Sequence, residues 1–259
     1  MISLLQQILP IPSVLDMKSI LCIGPHPDDI EIGLGAMLAL AKERGIALNF
    51  LIVTDGGAGS KDPSISISQL IDKRTLEAKQ SAAVYGVERV IFLGLPDGGD
   101  YSVHECVERL VQAMLPCSFD AVFCPDPTLP NEIHPDHLKV GQATKEALFL
   151  LANPLARKRR NMPGGEFEKQ VHLGFYFTHQ ANSFVEIHES HLELQRQAIL
   201  HHASQYPIQD AATKQLFQYL TIQKQSFGQR INTLYADGFA LMSPIQQHCY
   251  PEWNHYELK

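Results

Sequence analysis

At 259 residues with 45% hydrophobic side chains, the chain is long enough to bury one large core, and an α/β domain of this length need not be divided. A net charge of −7 and a pI near 5.9 leave no electrostatic footprint for nucleic acid. Five scattered cysteines, without a C-x-x-C pair, exclude a disulfide framework or a cysteine zinc site and fit a reducing compartment.

No charged n-region with a long apolar stretch opens the sequence, and no window reaches membrane-spanning length. A soluble cytoplasmic protein that engages neither nucleic acid nor membrane is expected. In chain order, Ser19–Gly24 predicts a buried strand, with Cys22 inside it. Ile30–Arg44 predicts a helix, with Ile30, Leu34, Met37, Leu38 and Ala41 on one face and Gly45 as its stop. Ala47–Val53 predicts the next strand, leading into the loop Thr54-Asp55-Gly56-Gly57-Ala58-Gly59. A helix over Gln69–Tyr85 is followed by a strand over Arg89–Leu93, a helix over His104–Leu115 and a strand over Phe119–Cys124. The next helix, His137–Leu151, has Asp136 placed as its cap.

The basic run Arg157-Lys158-Arg159-Arg160, beside a Pro-Gly-Gly stretch, predicts a solvated surface loop. Strands over Val171–Thr178 and Ser183–Ile187 and helices over Glu189–Gln205 and Thr213–Thr233 follow, and Tyr235–Lys259, with the single Trp253, reads as irregular. This alternation predicts a Rossmann-like, doubly wound, mostly parallel sheet in a single domain over residues 1–259. The core spans about residues 18–152 and C-terminal additions occupy about 170–259.

His-Pro-Asp occurs twice, as His26-Pro27-Asp28-Asp29 and His134-Pro135-Asp136-His137. The first copy lies just after strand one and the second after strand four. In a sheet ordered 3-2-1-4-5 those strands are neighbours at the switch point, and their carboxyl ends face one crevice. A catalytic zinc takes three protein ligands and leaves a fourth position to water, and His26, Asp29 and His137 supply a His₂Asp set that suits iron as well. Asp28 is then free to act as base. His134, held by Asp136 or another acidic neighbour, is placed as an imidazolium to steady an oxyanion and protonate the leaving group. Glu31 reads as a helix cap or as the group that holds the His26 tautomer.

Gly33-Leu-Gly35 and Gly56-Gly57-Ala58-Gly59 hint at an alternative, a nucleotide- or dinucleotide-binding protein whose His-Pro-Asp turns are structural. Neither completes G-x-G-x-x-G after a strand, so the first reads as helix packing and the second as a cleft-edge loop. His179 reads as a satisfied surface group, His201-His202 as partners of a helix dipole, and Arg74 equally as a surface charge.

Gly24-Pro-His-Pro-Asp-Asp-Ile-Glu-Ile-Gly33 and Ile133-His-Pro-Asp-His137 resemble the two signatures of the LmbE/PIG-L-type zinc-dependent N-acetyl-sugar deacetylases. Looser similarity runs through Val53–Gly56, the Arg74…Glu77-Ala78…Gly86-Val87 segment, Phe92–Gly98, Val185–His188 and Tyr235–Phe239, so the likeness spans about residues 18–240. The resemblance implies a Rossmann-like fold and removal of an acetyl group from an N-acetylglucosamine-type sugar. It implies His26, Asp29 and His137 as ligands of Zn²⁺, or of Fe²⁺ or another divalent metal. It makes Asp28 the general base and His134 the transition-state stabiliser supported by Asp136, with Arg74 and Asp97 on the substrate. It also implies a homo-oligomer, trimer or hexamer. Some relatives place a tyrosine where this chain has Glu132. Ile30, between Asp29 and Glu31, resembles the branch that acts on glucosaminyl-malate and chitooligosaccharides.

Overall fold

Short apolar runs with no polar alternation form strands that are covered on both faces. In the computed structural model, which describes residues 7–250 apart from residue 88, five such runs build a parallel sheet. They are β1 (Ser19–Gly24), β2 (Ala47–Thr54), β3 (Val90–Leu95), β4 (Ala121–Pro125) and β5 (His172–Tyr176), in the order β3-β2-β1-β4-β5. The period of two splits β1 between two cores: Ile20 and Cys22 enter one, Leu21 and Ile23 the other.

Helices α1 (Asp29–Glu43) and α2 (Ile67–Val84) cover the first face, and α3 (Val103–Met114) and α4 (Pro135–Ala152) the second. The glycine at position 33 reads correctly as a packing device: a Cβ there would lie 2.3 Å from the Tyr176 ring. Cys22 and Cys124 are buried thiols, as expected. Strand order and the crossover from β3 back to β4 place the switch point between β1 and β4, as anticipated.

The basic run departs from expectation. It forms the short helix α5 (Pro154–Arg159), and Arg157 is buried, its guanidinium donating to the carbonyls of Leu150, Leu151 and Gly165. Leu150 and Leu151 lie in the last turn of α4 and Gly165 in the loop beyond α5, and the forked guanidinium of Arg157 ties the two segments together.

The C-terminal part follows as β6 (Ser183–Ile187), α6 (Glu189–His201), α7 (Ala211–Arg230) and β7 (Tyr235–Met242). β7 corrects the expectation of an irregular tail, and Trp253 lies outside the described residues. This strand inserts between β5 and β6 and runs antiparallel to both. Asp237 and Gly238 disguise it. The Asp237 carboxylate is buried and takes Lys224 Nζ at 2.6 Å and the Met37 amide at 3.0 Å. A Cβ at Gly238 would come within 2.8 Å of the Phe184 ring. Among the described residues no helix is long and apolar enough to cross a membrane.

Candidate functional site

Each His-Pro-Asp segment leaves the carboxyl end of a strand and starts a helix, and β1 and β4 are direct neighbours. Residues 108 positions apart therefore meet (134 − 26). Ring centroids of His26 and His137 lie 5.4 Å apart, those of His26 and His134 4.5 Å, and those of His134 and His137 5.2 Å.

Two backbone devices aim these groups. Asp28 precedes α1 with φ of 132°, a conformation that a non-glycine residue adopts only under strain. On the other segment the helix cap is His134, whose Nδ1 accepts the Asp136 amide at 3.3 Å. Asp136, expected as the cap, instead sits inside the first turn, because Pro135 already occupies its opening position. Its carboxylate accepts the Gly98 amide at 2.9 Å and lies 3.1 Å from His26 Nε2, against 3.7 Å from His134 Nδ1.

Asp29 bridges His26 and His137. Its Oδ2 lies 3.0 Å from His26 Nδ1 and its Oδ1 3.3 Å from His137 Nε2, and Oδ2 also accepts the His26 amide at 2.8 Å. Donor atoms of His26, Asp29 and His137 all lie within 4.8 Å of one another, and so do those of an overlapping group of His26, Asp97, His134 and Asp136.

The charge balance of the cluster is negative. Burial opposes a charged His26, yet Asp29, Asp136 and Asp97 push its imidazole up to about 12. Burial likewise opposes a charged His137, and the Asp29 carboxylate overrides it upward. Burial raises the Asp29 carboxyl, but His137 and His26 hold it well below the usual carboxylate range. A buried set of imidazoles and carboxylates that recruits positive charge this strongly fits a borderline divalent cation.

Asp28 behaves differently from its neighbour. Burial and the Asp29 charge raise its carboxyl to about 6, while Arg74 pulls the other way. Burial, with His26 and His137 close by, holds His134 below its ordinary value. Asp97 lies 3.3 Å from His26 Nε2, and its other oxygen accepts the Ala58 amide at 3.1 Å.

Arg74 is no surface charge. It is 3% exposed and donates to the carbonyls of Gly56 and Pro27, each at 2.9 Å, and to Asp28 Oδ2 at 3.3 Å. Glu31 neither caps the helix nor touches His26: its Oε1 lies 3.3 Å from Nε2 of His202, which is fully buried. His202 ends its helix, where a dipole partner was expected, but it is buried and faces Glu31 as well. His179 stays exposed beside Gln180, as expected.

Sequence reasoning missed several side chains at this site, among them Tyr206, which hydrogen-bonds Asp28, and the two that flank His137. Glu132 Oε2 lies 2.9 Å from His137 Nδ1, and the Phe177 ring lies parallel to that imidazole at 5.8 Å between centroids. A departure from the family pattern flagged Glu132 without saying what it touches, and nothing local marks Phe177.

Comparisons with known proteins agree with this geometry. The sequence profile of the family described as PIG-L, GlcNAc-PI de-N-acetylase, matches residues 21–148. A diacetylchitobiose deacetylase of Thermococcus kodakarensis is 32% identical over 236 residues, 91% of this chain and 87% of that protein. A 1D-myo-inositol 2-acetamido-2-deoxy-alpha-D-glucopyranoside deacetylase of Kineococcus radiotolerans is 27% identical, covering 54% of this chain and 47% of that one. The structure of an N,N'-diacetylchitobiose deacetylase from Pyrococcus horikoshii superposes with a TM-score of 0.82 at 30% identity, over 96% of this chain and 93% of the other. These matches do not favour a nucleotide-binding protein with structural turns. With both His-Pro-Asp segments in one cleft and a relative matched along nearly its whole length, the chain belongs to the PIG-L family of de-N-acetylases.

Proposed function

We propose that this chain is a metal-dependent hydrolase that removes the acetyl group from an N-acetylglucosamine-type sugar, with a short chitin oligosaccharide as the favoured substrate class. The observation that carries it is the convergence of His26, Asp29 and His137 beside Asp28, a buried carboxylate left over from the ligand set. His26, Asp29 and His137 would hold the ion, zinc in the first place, with ferrous iron suited to the same donors. When bound, such an ion supplies Lewis acidity, activating water near neutral pH and polarising the acetamide carbonyl.

Side chains supply the rest. Asp28 accepts at a carboxylate oxygen the proton that water loses as it attacks the carbonyl carbon; its carboxyl, raised to about 6, is matched to that task near neutrality. Because His134 Nδ1 accepts the Asp136 amide, the ring proton resides on Nε2 and serves as a donor to the developing oxyanion. The proton held on Asp28 then passes to the amine nitrogen as the C–N bond breaks, giving acetate and a free amine. Arg74 and Asp97 line the same cleft, where their polar groups orient sugar hydroxyls, and Arg74 keeps Asp28 in place.

Free thiols among the described residues suit a cytoplasmic protein, and exposed Phe149, Leu155 and Ile245 suit assembly into a homo-oligomer.

Acetate release from N-acetylglucosamine, its malate glycoside and short chitin oligomers, measured with added zinc, tests the proposal. Turnover that needs the metal and disappears in Asp28→Ala with metal content unchanged is the expected result. Zinc-loaded protein that releases acetate from none of these substrates would overturn it.

A further inference from the structure

We propose that Glu132 is the positioning residue that sets the tautomer of His137 and ties this histidine to His134. The inference rests on the reading of His137 as a metal ligand. One carboxylate holds both histidines of the second motif: Oε2 lies 2.9 Å from His137 Nδ1, and Oε1 accepts the His134 amide at 2.7 Å. The contact is sheltered, with the two side chains only 14% and 16% exposed.

A carboxylate is an acceptor and nothing else, so the contact places the ring proton on Nδ1 and leaves the Nε2 lone pair on the side of Asp29, 3.3 Å away. The negative charge behind the ring also raises the basicity of Nε2, as outer carboxylates do for ligand histidines. Phe177 closes the remaining freedom. Its ring lies within 6° of parallel to the imidazole, and its backbone is held at φ of 51°, which a phenylalanine adopts only when packing dictates it. His137 is thus fixed in tautomer by one residue and in plane by the other.

Where some relatives have a tyrosine, this chain therefore places a group that works from behind the ligand. A tyrosine hydroxyl cannot accept two hydrogen bonds from this position with a full negative charge. A glutamine cannot either. It has one acceptor oxygen for two N–H donors, and its amide would face either His137 Nδ1 or the His134 amide as a second donor.

Zinc affinity of the full chain, measured by chelator competition, separates this role from a structural one. Glu132→Gln, which keeps size and shape, should bind zinc about 10–100-fold more weakly than wild type. Glu132→Ala should do the same, and His137→Ala should lose more. The thermal transition of each metal-free variant is recorded alongside, because a helix-capping role alone would lower that transition and leave zinc affinity in place. Long-range ¹H–¹⁵N spectra of the zinc-loaded protein should show His137 protonated on Nδ1. Zinc affinity of Glu132→Gln within about twofold of wild type, with His137→Ala metal-deficient, defeats the inference and spares the ligand reading. Wild-type affinity in His137→Ala defeats the ligand reading itself.

Discussion

The guanidinium of Arg74 and the carboxylate of Asp28 form an ion pair, 3.3 Å apart and almost wholly shielded from water. Arg74 opposes the burial and the Asp29 charge that raise the Asp28 carboxyl. Replacing it with methionine removes that restraint, so Asp28 holds its proton to higher pH and is available as a base over a narrower range. The acidic limb of the kcat profile should therefore move upward in pH. A limb that stays in place or moves down would separate Arg74 from the base. Loss of the bonds to Gly56 and Pro27 should also cost about 1–3 kcal/mol of stability, as orphaned buried acceptors do.

Backbone strain at Asp28 makes a second prediction. Asp28→Ala and Asp28→Gly both remove the carboxylate, yet only glycine tolerates φ of 132° without penalty. Both variants should be inactive, and the glycine variant should be the more stable by about 1–3 kcal/mol in urea denaturation. Equal stability of the pair would mean that no strain is stored there.

Glu31 and His202 give a stability signature in pH. Burial disfavours a charged His202, but the Glu31 carboxylate outweighs it and raises the imidazole above its ordinary value. The folded protein then binds a proton that the unfolded chain has released, so the stabilisation is complete below the unfolded value near 6.5 and disappears as pH climbs through the raised one. Denaturation of metal-free wild type between pH 6 and 9 should lose this increment, and Glu31→Gln should lack it. A gap between the two proteins that does not change with pH would count against the pair.

Lys224 and Asp237 form a buried pair away from the cleft. Lys224→Met alone should cost about 3–5 kcal/mol, because it leaves Asp237 charged and buried. Lys224→Met combined with Asp237→Asn should recover much of that, since an amide oxygen still accepts the Met37 amide. Strict additivity of the two changes in a double-mutant cycle would refute coupling.

The parallel half of the sheet was legible because its strands are buried on both faces and read as unbroken apolar runs. From that, the switch-point rule brought His26 and His137 together. β7 was hidden by Asp237 and Gly238, residues that look like a turn until Lys224 and Phe184 are present to explain them. The burial of Arg74, Arg157 and His202 was equally illegible, since each depends on acceptors supplied by distant segments. Glu132 shows the same limit at the site. Its position was conspicuous, but its partner lies five residues on, and only the turn into α4 brings the two together.

The place of β7 has a consequence for synthesis. β6 pairs with β7, which leaves the ribosome some fifty residues later (235 − 187 = 48), so the nascent chain must carry β6 without its hydrogen-bonding neighbour through the whole of α6 and α7. Nonsense mutations between positions 188 and 235 would strand that edge permanently, exposing it to chaperones and proteases. Truncated products should accordingly accumulate as aggregates or be degraded, even though both His-Pro-Asp segments are already in the chain.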